Sequence, residues 1–140
     1  MKDQRQEQII EDFELFDEWL DKYSYIIELS ADLPLISEQN KTPEHVIEGC
    51  QSRVWIAAKL DEQGGIEFTA DSDAIITKGI IALLIKVMNG RTPQEVLQTD
   101  LYFIDAIGLS ENLSPTRSNG LLAMIKQMKL FAMAFEAQKK

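Results

Sequence analysis

Cys50 is the only cysteine among the chain's 140 residues, in the segment Val46-Ile47-Glu48-Gly49-Cys50-Gln51-Ser52-Arg53-Val54-Trp55. A lone thiol closes no intrachain disulfide and builds no zinc site by itself. It can act as a nucleophile or carry a group covalently, because either task needs only one thiolate. Free cysteine also serves as a small, inert, buried hydrophobe. Reactivity depends on an electropositive setting, so spacing alone leaves both readings open. The single histidine, His45, follows Thr42-Pro43-Glu44, which reads as a short helical start with Thr42 as cap and Pro43 at the first position. No nucleophile-elbow motif accompanies His45, and it reads as a surface residue of that first turn.

A second feature bears on charge. The segment Ser114-Pro115-Thr116-Arg117-Ser118-Asn119-Gly120 opens a helix whose first turn holds a cation and no acid. Helix starts favour acids, because their exposed N–H groups carry partial positive charge. Arg117 therefore calls for an anion. A thiolate, a persulfide, a carboxylate such as Asp73, or a surface ion-pair partner would each serve.

The elements that must position these residues follow from periodicity. Ile9, Ile10, Phe13, Phe16, Leu20, Tyr23 and Ile27 recur at three- and four-residue steps, which predicts one helix from about residue 5 to 29. Residues 31–43 contain Pro34, Asn40 and Pro43 and read as a turn-rich connection. Val54–Leu60 and Gly65–Asp71 flank Asp61-Glu62-Gln63-Gly64-Gly65, an antiparallel hairpin with Cys50 just before its first strand. The Gly64-Gly65 pair suits that turn better than a phosphate cradle. Asp71-Ser72-Asp73 is expected to close the second strand and cap a helix from Ala74 to about Asn89. That helix is apolar nearly all round, which marks it as the buried central one. Gly90 stops it. Thr92-Pro93-Gln94-Glu95 carries a capping box, and Asp100–Ile107 reads as a short helix ending at Gly108. The last helix runs from Ser114-Pro115 to about Ala137, with Leu121, Ile125, Met128, Ala132 and Phe135 on one side and Met124, Met128 and Met133 as core gap-fillers. The sum is an α+β fold, a small antiparallel sheet with helices packed on one face, in a single domain over 1–140.

Composition narrows function. The chain is 45% hydrophobic and 26% charged, ordinary for a globular protein. Its net charge of −9, from 14 basic and 23 acidic residues without a Lys/Arg run, argues against nucleic acid. No apolar run approaches bilayer length, and the acidic N-terminus is unlike a secretion signal, so no membrane partner is expected. With one cysteine and no disulfide framework, the cytoplasm is the expected location. One Cys and one His also leave no metal or cluster site, so no cofactor is expected. Charge is uneven: residues 1–21 carry eight acids, whereas Arg117, Lys126, Lys129, Lys139 and Lys140 face Glu136 alone. Two solvated helix faces attracting each other across the fold would explain this, as would an acidic helix that steers a partner.

The motif residues resemble a known family. Gly49-Cys50-Gln51-Ser52-Arg53-Val54-Trp55-Ile56 is similar to the glycine–cysteine–x–serine–x–valine–tryptophan signature of SufE proteins. Asp71-Ser72-Asp73-Ala74 through Lys78-Gly79, and Pro115-Thr116-Arg117-Ser118-Asn119-Gly120-Leu121, match further family blocks in the same order. The resemblance implies a SufE/IscU-like α+β fold and a sulfur acceptor working with a PLP-dependent cysteine desulfurase, SufS- or CsdA-like. Cys50 would take the desulfurase's persulfide sulfur, stimulate that enzyme and pass sulfur to iron–sulfur scaffold proteins. The chain itself would be a carrier, not an enzyme or a cluster scaffold, and a monomer or homodimer. Family positions further imply that Arg117 supports the sulfur-bearing loop or stabilises anionic sulfur, and that Asp73 restrains the loop at rest. Gln51 and Ser52 would donate to the thiolate, and Gly49 would let the backbone swing Cys50 outward. The paralogous CsdE proteins share these motifs, so the particular desulfurase stays open. Two other function classes stand beside this one. A non-catalytic adaptor would activate a desulfurase allosterically with Cys50 merely packed, and a thiol hydrolase or peroxidase would use Cys50 with His45.

Overall fold

Period-two alternation in two seven-residue segments builds the sheet of this computed structural model, which describes residues 3–42, 46–47, 53–113 and 115–138, the side chains of 115–117 excepted. Strands β1 (Val54–Leu60) and β2 (Ile66–Ser72) pair antiparallel, with Val54 opposite Ser72, Ile56 opposite Ala70 and Ala58 opposite Phe68. Residues in such pairs share a face. Val54, Ile56, Ile66, Phe68 and Ala70 are accordingly all fully buried. The turn works as expected: Asp61 Oδ1 accepts the N–H groups of Gln63 and Gly65 at 2.8 and 2.9 Å, and Gly64 adopts φ +86°. The far edge of β2 is closed by irregular chain. The Ala70 N–H donates to the Pro34 carbonyl at 2.9 Å, the Phe68 N–H to Asn89 Oδ1 at 2.7 Å, and the Ile66 N–H to the Arg91 carbonyl at 2.8 Å. These partners take up donors that would otherwise recruit another strand.

Helix α3 (Ile75–Met88) is the central one, with eleven of its fourteen residues buried. It packs on β2 and on α2 (Trp19–Leu29). Gly79 permits that approach, since a Cβ there would overlap the Ile26 carbonyl oxygen. Helix α7 (Pro115–Gln138) packs against β1 and α4 (Pro93–Gln98). The capping box of α4 is present, with Thr92 and Glu95 exchanging hydrogen bonds at 2.9 and 3.2 Å. Between them lie α5 (Phe103–Ala106) and α6 (Leu109–Asn112), joined at Gly108 with φ +78°.

Several expectations need correction. The single helix over 5–29 is two helices, α1 (Gln4–Phe13) and α2, broken at 14–18. Glu11, Glu14 and Glu18 would stack like charges along one face of a continuous helix, which disfavours it. Breaking it resets the phase, so Ile26 and Leu29 turn inward while Leu20 is 72% exposed. Met124 and Met128 are buried, but Met133 is 55% exposed, five residues on from Met128 and turned off its face. The short helix expected over Asp100–Ile107 is confined to Phe103–Ala106. Helix α3 begins without a side-chain cap at Ala74; Asp71 and Asp73 are engaged elsewhere, and the Ser72 hydroxyl takes the N–H of Ala74 itself. Among the described residues, the ion pair from the acidic segment joins Asp3 to Arg91 at 2.7 Å, and Asp3 also caps α1 through the Arg5 N–H. The helical start expected at Thr42–His45 lies outside the described residues beyond Thr42.

Candidate functional site at the open end of the hairpin

The hairpin's open end carries the residues that flank the thiol segment. An antiparallel ladder would run out at Val54 and Ser72, yet it continues one step. The Asp73 N–H donates to the Arg53 carbonyl at 3.2 Å, and the Arg53 N–H donates to Asp73 Oδ1 at 3.0 Å. Ser72 Oγ donates to the same Arg53 carbonyl at 2.8 Å and accepts the Ala74 N–H at 3.1 Å. Short polar side chains favour such local backbone bonds over helix interiors. These bonds hold Arg53, three residues after Cys50 in the sequence.

The chain entering the thiol segment is held from the other side. Val46 forms an antiparallel bridge with Trp55, and the Ile47 N–H donates to the Val54 carbonyl at 2.9 Å. Ile47 stands three residues before Cys50. Gly49, Cys50, Gln51 and Ser52, together with His45, lie outside the described residues. Arg117 is in the first turn of α7, its side chain likewise outside that description. The structure thus brings Asp73 to the Arg53 end of the segment.

One feature here escaped sequence reasoning. Asp71, opposite Trp55 in the ladder, is nearly buried and gathers three donors. Its Oδ2 takes Lys41 Nζ at 2.6 Å; its Oδ1 takes Lys78 Nζ at 3.2 Å and the Ser72 N–H at 2.8 Å. Lys41 Nζ also reaches Glu38 at 3.2 Å and sits 5.3 Å from the Trp55 ring centroid, within cation–π range. Burial by itself would raise the Asp71 carboxyl. The bonds from Lys41, Ser72 and Lys78, with the Lys78 charge, outweigh it and hold the group below the usual carboxylate range. The bond to Asp71, and then that to Glu38, push Lys41 up. Asp71 and Lys78 stand inside the motif blocks, but Lys41, thirty residues from Asp71 in sequence, carried no signal of its own.

Among the described residues, no three of His, Cys, Asp and Glu converge as metal ligands would, and no helix is long and apolar enough to cross a membrane. A cavity of about 330 Å³ lined by Leu29, Pro34, Ala82 and Ile85 shares no residue with the hairpin end.

Fold and site together define a small α+β protein in which Ile47 and Arg53, the residues three positions before and after the sole cysteine in the sequence, are both anchored at a hairpin's open end. The solution structure of a hypothetical protein from Thermus thermophilus has the same fold, with a TM-score of 0.79 over 98% of this chain and 99% of that one, at 21% identity. The family model described as SufE, Fe-S metabolism associated domain, matches residues 7–132. The chain belongs to the SufE family, whose domain is associated with Fe–S metabolism.

Proposed function

We propose that this chain is a sulfur acceptor and carrier, with Cys50 as the acceptor, serving a PLP-dependent cysteine desulfurase in the cytoplasm. The Cys50 thiolate attacks the outer sulfur of the desulfurase's cysteine persulfide. A sulfur–sulfur bond forms on Cys50 as the one on the desulfurase breaks, and the desulfurase cysteine leaves as a thiolate. Sulfur moves between two thiols with no net oxidation, so no further oxidant is required. A second such exchange delivers it to an iron–sulfur scaffold. A lone cysteine suits the relay, because a neighbouring thiol would discharge the persulfide as a disulfide. Removing sulfur from the desulfurase frees that enzyme for its next turnover, which is how a carrier without turnover of its own stimulates it.

The observation that carries this reading is the sole cysteine of a SufE-family chain standing inside the family signature. Within it, Arg117 and Asp73 keep the parts the resemblance gives them: support of the loop or of anionic sulfur, and restraint at rest. Gly49, Gln51 and Ser52 supply backbone freedom and donors. The test is intact mass after incubation with a cysteine desulfurase and L-cysteine, with Cys50→Ser beside it. The expected result is a gain of one sulfur, removed by reductant and absent from Cys50→Ser. Undiminished stimulation of the desulfurase by Cys50→Ser would overturn the relay and favour the adaptor. Turnover of a thioester or peroxide without a protein partner would instead favour the hydrolase or peroxidase.

A further inference from the structure

We infer that the alternating charges Glu38, Lys41, Asp71 and Lys78, with the Trp55 ring beneath Lys41, are a positioning device for the chain that bears Cys50. The ions join separate stretches of chain. Lys41 belongs to the polypeptide entering the thiol segment. Asp71 belongs to β2, next to Ser72 and two residues before Asp73, which together hold the Arg53 end. Trp55 pairs with Val46 on the entering side and with Asp71 across the ladder. The 2.6 Å ion pair from Lys41 to Asp71 therefore ties the entering chain to the strand that fixes the leaving chain. Lys78, from the first turns of α3, fastens the same carboxylate to the central helix at 3.2 Å.

The partners differ in weight. Glu38 is 87% exposed, so its pair with Lys41 is screened and adds little. Asp71 and Lys41 keep only 12% and 21% of their side-chain exposure, and their pair is correspondingly less screened. Asp71 also orients its neighbour, because its Oδ1 takes the Ser72 N–H whose hydroxyl grips Arg53. Lys41, Asp71 and Lys78 act through Ser72 and Trp55 and are positioning residues, not catalytic ones. The inference rests on Cys50 being the reactive thiol, but its test needs no sulfur chemistry.

The experiment is the rate of Cys50 alkylation by iodoacetamide in the full chain, read by intact mass, for wild type, Lys41→Met, Lys41→Arg and Lys78→Met. Lys41→Met keeps most of the aliphatic stem and loses the charge. It should alkylate about three- to fivefold faster, the change that one half-buried ion pair supports. Lys41→Arg should return to within about twofold of wild type, because a guanidinium keeps both the carboxylate pair and the ring contact. Lys78→Met should raise the rate in the same direction. Equal rates in wild type, Lys41→Met and Lys78→Met would overturn the inference, as would a Lys41→Arg chain as fast as Lys41→Met. Faster alkylation accompanied by loss of the melting transition in Lys41→Met would overturn it too, since the role would then be global stability. Absence of sulfur gain on wild-type Cys50 would count against the proposed function alone and leave this ranking intact.

Discussion

Replacing Asp73 by Ala removes one bond from the three that hold Arg53, and the structure sets the size of the effect. The lost bond is Arg53 N–H to Asp73 Oδ1 at 3.0 Å. The other two, from the Asp73 N–H and from Ser72 Oγ to the Arg53 carbonyl at 3.2 and 2.8 Å, need no carboxylate and persist. Both residues of the lost bond are exposed, so water replaces much of it and the net loss is about 1 kcal/mol. That is about a fivefold rise in the population with Arg53 N–H open. Amide hydrogen exchange followed by NMR reads it directly: the Arg53 amide exchanges about fivefold faster in Asp73→Ala, while the Asp73 amide changes little. Asp73→Asn keeps an acceptor without the charge and gives a smaller rise. An unchanged Arg53 amide in Asp73→Ala would refute the reasoning. Equal acceleration at residues 53 and 73 would refute it as well, because the hairpin end would then open as a unit.

Further outcomes follow from the same contacts. Gly79→Ala reverses the usual sign of a glycine-to-alanine change in a helix, which ordinarily stabilises by up to about 1 kcal/mol. Its Cβ meets the Ile26 carbonyl, a backbone atom that cannot rotate away, so α2 and α3 separate at a cost of about 2–3 kcal/mol; a urea midpoint equal to or above wild type would contradict this. Asp71 sits below its unfolded value of 3.8 in the fold. Its stabilisation is thus fully present above about pH 4 and is lost as pH falls through the lower folded value. Urea titrations between about pH 5 and 2 should show a shallower acid loss in Asp71→Asn than in wild type, and parallel curves would count against the assignment.

Local chemistry made much of the fold legible. The hairpin at Asp61–Gly65, the Thr92–Glu95 capping box and the stops at Gly90 and Gly108 each rest on neighbours within a few residues, and each stands where the residues indicate. The buried central helix was equally readable, because apolar residues on every side leave it nowhere else to go. The N-terminal helix was misjudged for a physical reason. Its apolar spacing continues through residues 14–18, but like charges and the pull of the core on Ile26 and Leu29 break and rephase it. Asp73 was legible as part of a motif, whereas its bond to the Arg53 N–H was not, since an Asp before a helix reads first as a cap.

By itself the sequence determined the family, the lone thiol and the hairpin beside it, because motif spacing, cysteine count and strand alternation are properties of the chain. Tertiary structure alone decided which charges meet. Lys41 and Asp71 are thirty positions apart, and although Asp71 stands in a motif block, nothing in the sequence around either residue pairs it with the other. Only the packing of residues 33–42 along β2, through the Pro34 and Ile36 bonds to Ala70, carries Lys41 over Trp55 and onto the Asp71 carboxylate.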